Sequence, residues 1–207
     1  QPFLINSNFI TDAGRQQLHQ ESEWNKLIFS KIPELYLDFV SKISLRYANY
    51  TDVLPTIYPD YDTLVNVYRS ALQMAFDTIA FVPNRNKNRL LRIREVLVDK
   101  TGVSKGIISI DRMLKHLNSK KNTHFSEENL VDNNGIVEYA HNLIFLFDSN
   151  EMIHLLADRE TTAGISIQED IKLIRFLSEY FQQPQNNIDS YKSSFADISI
   201  LYDVNRD

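Results

Sequence analysis

The stretch "SIQEDIKLIRFLSEYFQQP", residues 166–184, carries both the start and the stop signals of an α-helix. Ser166 is followed three residues later by Glu169, the capping-box pattern in which two side chains satisfy free backbone N–H groups. Apolar residues then recur at steps of three and four, and Pro184 ends the run because proline cannot continue a helix. The stretch therefore predicts an amphipathic helix, and similar signals recur through most of the chain.

The first half of the chain contains two further helical runs. Ser22 is a favourable N-cap for the first run, and Pro33 predicts that this helix breaks or restarts there. Asp60 or Asp62 can cap the second run, whose apolar stripe stops ahead of Pro83. Shorter runs predict helices over 104–118, capped by Ser104, over 136–147, and from residue 150, capped by Ser149.

The composition agrees with a helical fold. Five glycines in 207 residues are about a third of the usual share, and sharp turns and phosphate-binding loops consume glycine. A doubly wound α/β enzyme or a β-sandwich is therefore excluded in favour of an all-α fold. We predict a single irregular domain over 1–207 with about six to eight helices. A flexible polar loop is expected around 119–135, a polar tail after 184, and a minor strand near the C-terminus at 197–204.

The chain has no cysteine, so disulfides, thiolate metal sites and cysteine nucleophiles are excluded. No run reaches the 18 or so apolar residues of a membrane span. Together these features favour an intracellular protein, cytoplasmic or nuclear. Glu151 and His154 have the spacing of a di-iron helix, but the sequence lacks the second copy that such sites need. We therefore expect no metal, no cofactor and no enzymatic activity.

Residues 99–117, "DKTGVSKGIISIDRMLKHL", fit two conflicting patterns. The letters G-x-S-x-G match the nucleophile elbow of a hydrolase, with Ser104 as the nucleophile, but the sheet and glycine-rich oxyanion loop of that fold are missing. The run 98–117 also fits a helix-turn-helix corner around Gly102, except that Asp111 falls where a buried aliphatic is expected. The simplest alternative is two packed helices joined by a glycine turn.

Charge is distributed unevenly along the chain. Residues 84–121 contain eleven lysines and arginines against three acids, a net charge of +8, although the whole chain has a net charge of −5. Such asymmetry favours an anionic partner. The alternative is that these cations pair within the fold with acidic runs such as "SEENLVD", residues 126–132, or "DRE", residues 158–160.

The sequence thus predicts a non-enzymatic helical interaction or scaffold module. Its 84–121 segment would contact an anionic partner, either a nucleic acid or an acidic protein surface, with the oligomeric state left open. The predicted contact residues are Arg85, Lys87, Arg89, Arg92, Lys100, Ser104, Lys105, Arg112 and Lys115. The first alternative is a DNA-binding regulator that uses the corner at 98–117. The more distant one is a helical hydrolase or metal enzyme that uses Ser104, or Glu151 with His154.

Overall fold

A computed structural model describes residues 5–14, 16–56, 62–121, 123–158 and 165–183. Within these ranges the chain is mostly helical, with six α-helices, 55% helix and two small sheets of two strands each. The prediction of a mainly helical fold is confirmed, but the prediction of an all-α fold is wrong. None of the described helices is long and apolar enough to cross a membrane. The predicted strand at 197–204 and the tail after 184 lie outside the described residues.

The chain divides into two compact units, and each is built from more than one segment. The first unit comprises Gln1–Val96 and Val131–Phe145, and the second comprises Leu97–Leu130 and Leu146–Asp207. The chain therefore passes from one unit to the other three times.

The first unit is built on a pair of long helices. Helix α1 (Glu23–Ser44) packs against α2 (Thr63–Thr78), and a 3-10 turn (Tyr50–Val53) follows α1. Strands β1 (Val82–Pro83) and β2 (Leu90–Leu91) form an antiparallel hairpin. The short helix α4 (Asn134–Ala140) belongs to the same unit, and its Tyr139 ring packs edge-on against Phe76 of α2. The Tyr139 hydroxyl donates to the Pro55 carbonyl at 2.7 Å, and burial raises the pKa of this phenol.

The second unit holds three helices, α3 (Ile110–Lys121), α5 (Ser149–Ala157) and α6 (Ile167–Gln182). Strand β3 (Leu97–Asp99) enters this unit and pairs with β4 (Phe145–Phe147). Leu97 is also bridged to Leu130 in a parallel sense, directly after a 3-10 turn (Glu127–Asn129). The buried residues of the second unit include Met113 and Leu117 of α3 and Met152 and Leu155 of α5, which form an apolar core.

The helix N-caps follow the sequence signals at three places. Ser22 accepts from the Asn25 N–H, and Asp62 accepts from the Val65 N–H at 2.8 Å. Ser166 and Glu169 make the predicted reciprocal capping box at the start of α6. Each of these side chains satisfies a backbone donor that the first helical turn leaves free.

The predicted break at Pro33 does not occur, because α1 runs through this residue. Proline in a helix interior removes one hydrogen bond and costs about 3 kcal/mol. Pro33 itself is buried, and so are Leu37 and Val40 on the following turns. Burial of this apolar face keeps the helix continuous despite the proline.

The predicted helix-turn-helix corner at 98–117 is not formed. The segment before Gly102 is strand β3 rather than a helix, and α3 begins only at Ile110. Ser104 therefore does not cap α3; the Arg112 N–H instead points to the Ser109 hydroxyl at 3.4 Å. The run 96–98, two valines around a leucine, is fully buried, an environment that favours a strand over an amphipathic helix.

Two other predicted segments have different boundaries in the structure. The stripe predicted as one helix over 136–147 is split into α4 and β4, with a turn between them. The segment predicted as a loop around 119–135 includes the end of α3, a 3-10 turn and the start of α4. The Asn118 side chain bonds to both backbone groups of Phe125, which ties this segment to α3.

Candidate functional site

Many basic side chains between residues 84 and 121 are paired with acids. Arg85 Nε lies 2.9 Å from Asp132 Oδ2, and Arg92 Nη2 lies 2.7 Å from Glu95 Oε1. The other pairs are Arg94 with Asp77, Lys120 with Asp158, and Lys121 with Glu151. Asp132 and Asp158 belong to the two acidic runs, residues 126–132 and 158–160, that were the alternative internal partners in the sequence. Internal pairing therefore accounts for these cations.

Pairing also shifts the titration of the groups involved. A side-chain hydrogen bond from Arg92 lowers the pKa of Glu95, and the same bond raises the pKa of Arg92. In the second unit, hydrogen bonds from Ser166 lower the pKa of Glu169, and the nearby Arg112 guanidinium adds to that shift. Both arginines are therefore engaged with carboxylates of their own unit.

The predicted contact residues divide between the two units. The first unit contains Arg85, Lys87, Arg89 and Arg92, and the second contains Lys100, Ser104, Lys105, Arg112 and Lys115. Ser104 is buried and presents little surface to a partner. Lys87, Lys100 and Lys115 are exposed, and the described part of the chain places no carboxylate within ion-pair distance of them.

The turn of the β1–β2 hairpin, residues 84–89, carries three of these cations in six residues. Asn84 is 3% exposed, and its side-chain oxygen accepts from the N–H groups of Asn88 and Arg89. Its amide nitrogen donates to the Asn88 side chain at 2.8 Å, and its carbonyl accepts from the Lys87 N–H. Lys87 has a φ of 53°, the left-handed geometry that such a tight turn requires. One buried asparagine thus fixes the turn, and residues 86–89 are exposed.

A cavity of about 460 Å³ adjoins this turn within the first unit. Three segments form its wall: the end of α1 with the 3-10 turn after it, the hairpin turn, and residues 131–135, which lead into α4. Four asparagines line it, Asn49, Asn84, Asn133 and Asn134, and its charged residues are Asp52, Arg85, Lys87 and Asp132. Two cations and two acids make the lining neutral overall.

The wall of the cavity is held by close contacts between its segments. Arg85 contacts Asp132 through both Nε and Nη2, with the second distance 3.2 Å, so the hairpin turn is joined to the segment before α4. Gly135 lies directly against Thr51, because a Cβ on Gly135 would stand 2.4 Å from the Thr51 hydroxyl. A glycine is therefore required here for close approach rather than for an unusual φ.

Tyr50 is another residue of this wall, and no sequence pattern marks it as a functional residue. It is 3% exposed and lines the cavity, yet its hydroxyl has no hydrogen-bond partner among the described residues. Burial raises the pKa of this phenol, so the group stays neutral. Buried hydroxyls are nearly always satisfied by protein, water or ligand.

The G-x-S-x-G stretch forms a loop around a buried carboxylate instead of a nucleophile elbow. Asp99 accepts from the N–H groups of Thr101, Gly102 and Ser104 at 2.9 Å each and from the Thr101 hydroxyl at 2.7 Å. Gly102 has a φ of 79°, which turns the backbone toward this carboxylate. A nucleophile elbow needs its serine exposed at the start of a helix. Ser104 is buried and six residues ahead of α3, so the structure does not form that arrangement.

The candidate metal pair, Glu151 and His154, lies on α5. Glu151 is bonded to Lys121 at 3.0 Å, whereas His154 is exposed on the same helix. No group of three or more potential ligands is found among the described residues. Sequence analysis instead missed a buried pair, His116 Nδ1 and Asp158 Oδ2 at 3.1 Å, which joins α3 to the end of α5. The helical periodicity of α3 would have identified His116 as a core position.

Comparisons of the chain with protein-family models, with curated proteins and with solved structures find no match. The hairpin turn and the cavity beside it are therefore the features of the molecule that point to a function.

Proposed function

We propose that this protein is a non-enzymatic interaction module that binds an anionic partner through the hairpin turn, residues 84–89. The observation that carries the proposal is the turn itself, in which buried Asn84 fixes an exposed Lys87 that has no carboxylate within ion-pair distance among the described residues. Exposed Asn86, Asn88 and Arg89 supply further donors of the kinds that contact phosphate oxygens. A pre-formed turn loses little conformational entropy on binding.

The proposed contact surface is limited to residues 84–89 and does not include the rest of the 84–121 segment. Arg92, Arg94, Lys120 and Lys121 all have acidic partners within their own units. Breaking these pairs to bind a partner would cost more than using Lys87, which has no ion pair within the described part of the chain. A DNA-reading corner at 98–117 receives no support, because the first helix of that motif is replaced by a strand.

The test is the variant Lys87→Glu, with Lys115→Glu as its matched control. Both lysines are exposed and lack an ion pair in the described chain, so the two variants change the net charge equally. Binding of long-chain polyphosphate and of a labelled single-stranded oligonucleotide is measured by titration at two salt concentrations. We expect Lys87→Glu to bind at least about tenfold more weakly and with a smaller salt dependence. The salt dependence falls because a complex with one phosphate contact fewer releases fewer counterions when it forms.

Lys115→Glu is expected to bind like the unmodified protein, and both variants are expected to melt at its temperature. Equal weakening by the two variants would show that only net charge matters, and the hairpin turn would then not be the contact. Absence of binding to either polyanion would also reject the proposal.

A further inference from the structure

The outer face of α6 is apolar although it points away from the core. Leu173 and Leu177 are buried on one side of this helix. Ile167, Ile171 and Ile174 lie on the other side and are 68%, 47% and 41% exposed. The outer face of a surface helix is normally polar, and a contiguous exposed apolar surface marks an interaction site. The three isoleucines therefore define a surface, the α6 stripe, that a partner covers.

The spacing of the α6 stripe is that of a coiled-coil seam. Steps of four and then three residues, from 167 to 171 to 174, place the isoleucines at the d, a and d positions of a heptad. The next a position holds Ser178, and the d position after it holds the half-buried Phe181. A seam of this kind packs against another helix, each side chain entering a hole on the facing helix. The partner of the α6 stripe is therefore a helix.

The charges beside the stripe are complementary to those of a second copy of the same helix. In this register Asp170 occupies a g position and Arg175 occupies the next e position, five residues later. In a parallel coiled coil a g residue lies beside the following e residue of the neighbouring helix, so Asp170 of one copy would lie beside Arg175 of the next. Arg175 is exposed, and the described part of the chain places no carboxylate within ion-pair distance of it.

An antiparallel arrangement would not use these charges. Reversal of one helix brings g positions together and e positions together. Asp170 would then meet Leu177, and Arg175 would meet Gln168. We propose that α6 is a self-association surface through which copies of this chain assemble in parallel, stripe against stripe. Isoleucine at both a and d positions favours three strands over two, so the expected assembly is a symmetric trimer.

The first experiment measures the mass of the full chain by light scattering and sedimentation equilibrium, up to millimolar concentration. We expect a reversible assembly with the mass of three chains; a mass of two chains would support the same seam with two strands. Ile171→Lys places a charge in the seam and should give a monomer with an unchanged circular dichroism spectrum. Met74→Lys is the matched control, because Met74 is an apolar residue of α2 that is 70% exposed. It should assemble like the unmodified protein.

Exchange of the flanking charges tests the register. Arg175→Asp places like charges beside each other and should weaken association at least about tenfold. The double variant Asp170→Arg/Arg175→Asp has the net charge of the unmodified protein and restores the complementarity, so its association should recover. Residues five apart on a helix are not facing neighbours. Recovery would therefore come from contact between copies.

Cross-linking tests the orientation, since the chain has no cysteine of its own. Equivalent a positions face each other in a parallel assembly, so Ile171→Cys should form a disulfide between copies on mild oxidation with copper phenanthroline. Met74→Cys is the control and should stay mostly uncross-linked on a non-reducing gel. Cross-linking of Ile171→Cys no faster than that of Met74→Cys would reject the parallel seam, whether or not the charged variants fold.

Two further results would overturn the inference. One is a full chain that is monomeric at every concentration; if Ile171→Lys then melts at a lower temperature, the isoleucines are covered within a single chain. The other is an assembly that both Ile171→Lys and Arg175→Asp leave unchanged, which would place the contact elsewhere. Neither result bears on binding at the hairpin turn, which the Lys87→Glu variant tests separately.

Discussion

At the scale of single residues, Asn84 and Gly135 determine the geometry of the candidate site. Asn84 uses its buried side chain as the hydrogen-bonding centre of the hairpin turn, a role that a small amide fills well. Gly135 lets the segment before α4 approach the 3-10 turn after α1. Neither residue carries charge or chemistry of its own, and both act by placing Lys87, Arg85 and Tyr50.

The contact between Gly135 and Thr51 gives a prediction about stability. In Gly135→Ala the new Cβ would lie 2.4 Å from the Thr51 hydroxyl, so the wall of the cavity must shift. We expect a loss of about 1–3 kcal/mol in the free energy of unfolding, the usual cost of overpacking. The measurement is denaturant unfolding followed by circular dichroism.

Gly14→Ala is the control for this substitution, because the nearest atoms to its Cβ would be 3.8 Å away. Its effect should stay within about 0.5 kcal/mol. Adding Thr51→Ala to Gly135→Ala removes the closest atom and should recover part of the loss. A Gly135→Ala variant as stable as the Gly14→Ala variant would contradict the close approach.

At the scale of elements, the sequence predicts helices better than it predicts the segments between them. Caps at Ser22, Asp62 and Ser166 could be identified because capping is local, involving residues three apart. The stretch 90–99 could not be assigned, because its short apolar runs fit a helix and a strand equally. Its conformation depends on antiparallel pairing of β2 with β1 and on pairing of β3 with β4, which no local pattern reveals.

Prediction of the candidate site from the sequence is limited in the same way. Clustering of cations at 84–89 is visible in the sequence, but the pairing of Arg85 with Asp132 depends on tertiary contacts. Tyr50 and the four cavity asparagines come from three separate segments, and nothing in their spacing predicts that they meet. Sequence analysis could therefore suggest an anionic contact but not its position within the segment.

The start of α5 gives a prediction at the element scale. The sequence predicts Ser149 as the cap, but Asp148 accepts from the N–H groups of Asn150 and Glu151. The Ser149 hydroxyl lies 2.6 Å from the Tyr180 hydroxyl and so joins α5 to α6. We expect Ser149→Ala to cost about 0.5–1.5 kcal/mol through loss of this hydrogen bond.

A double-mutant cycle with Tyr180→Phe separates the two roles of Ser149. If the hydroxyl pair carries the effect, Ser149→Ala should cost little in the Tyr180→Phe background, giving a coupling energy of about 0.5 kcal/mol or more. If Ser149 acted as a cap, Ser149→Ala would lower the free energy of unfolding by the same amount in both backgrounds. Asp148→Ala, which removes the observed cap, should cost about 1 kcal/mol whichever residue stands at 180.

At the scale of the whole molecule, neither unit is a continuous piece of chain. The first unit needs residues 131–145 in addition to residues 1–96. That second segment contributes Ile136, Val137 and Ala140 to the buried core. Its Tyr139 also contacts Phe76 and bonds to the Pro55 carbonyl. Cutting the chain after residue 96 therefore removes core residues as well as a surface segment.

We predict that a fragment of residues 1–96 does not fold cooperatively, whereas 1–96 joined to 131–145 does. Burying an Ile or Val side chain contributes about 1.5–3 kcal/mol, and a domain has only about 5–15 kcal/mol in total. A short glycine-serine linker can make the join, because Leu97 and Leu130 are bridged neighbours. Thermal melting followed by near-ultraviolet circular dichroism compares the two fragments with the full chain. A sharp melting transition in the fragment 1–96 alone would show that α4 is dispensable to this core, and the interleaved unit would then be wrong.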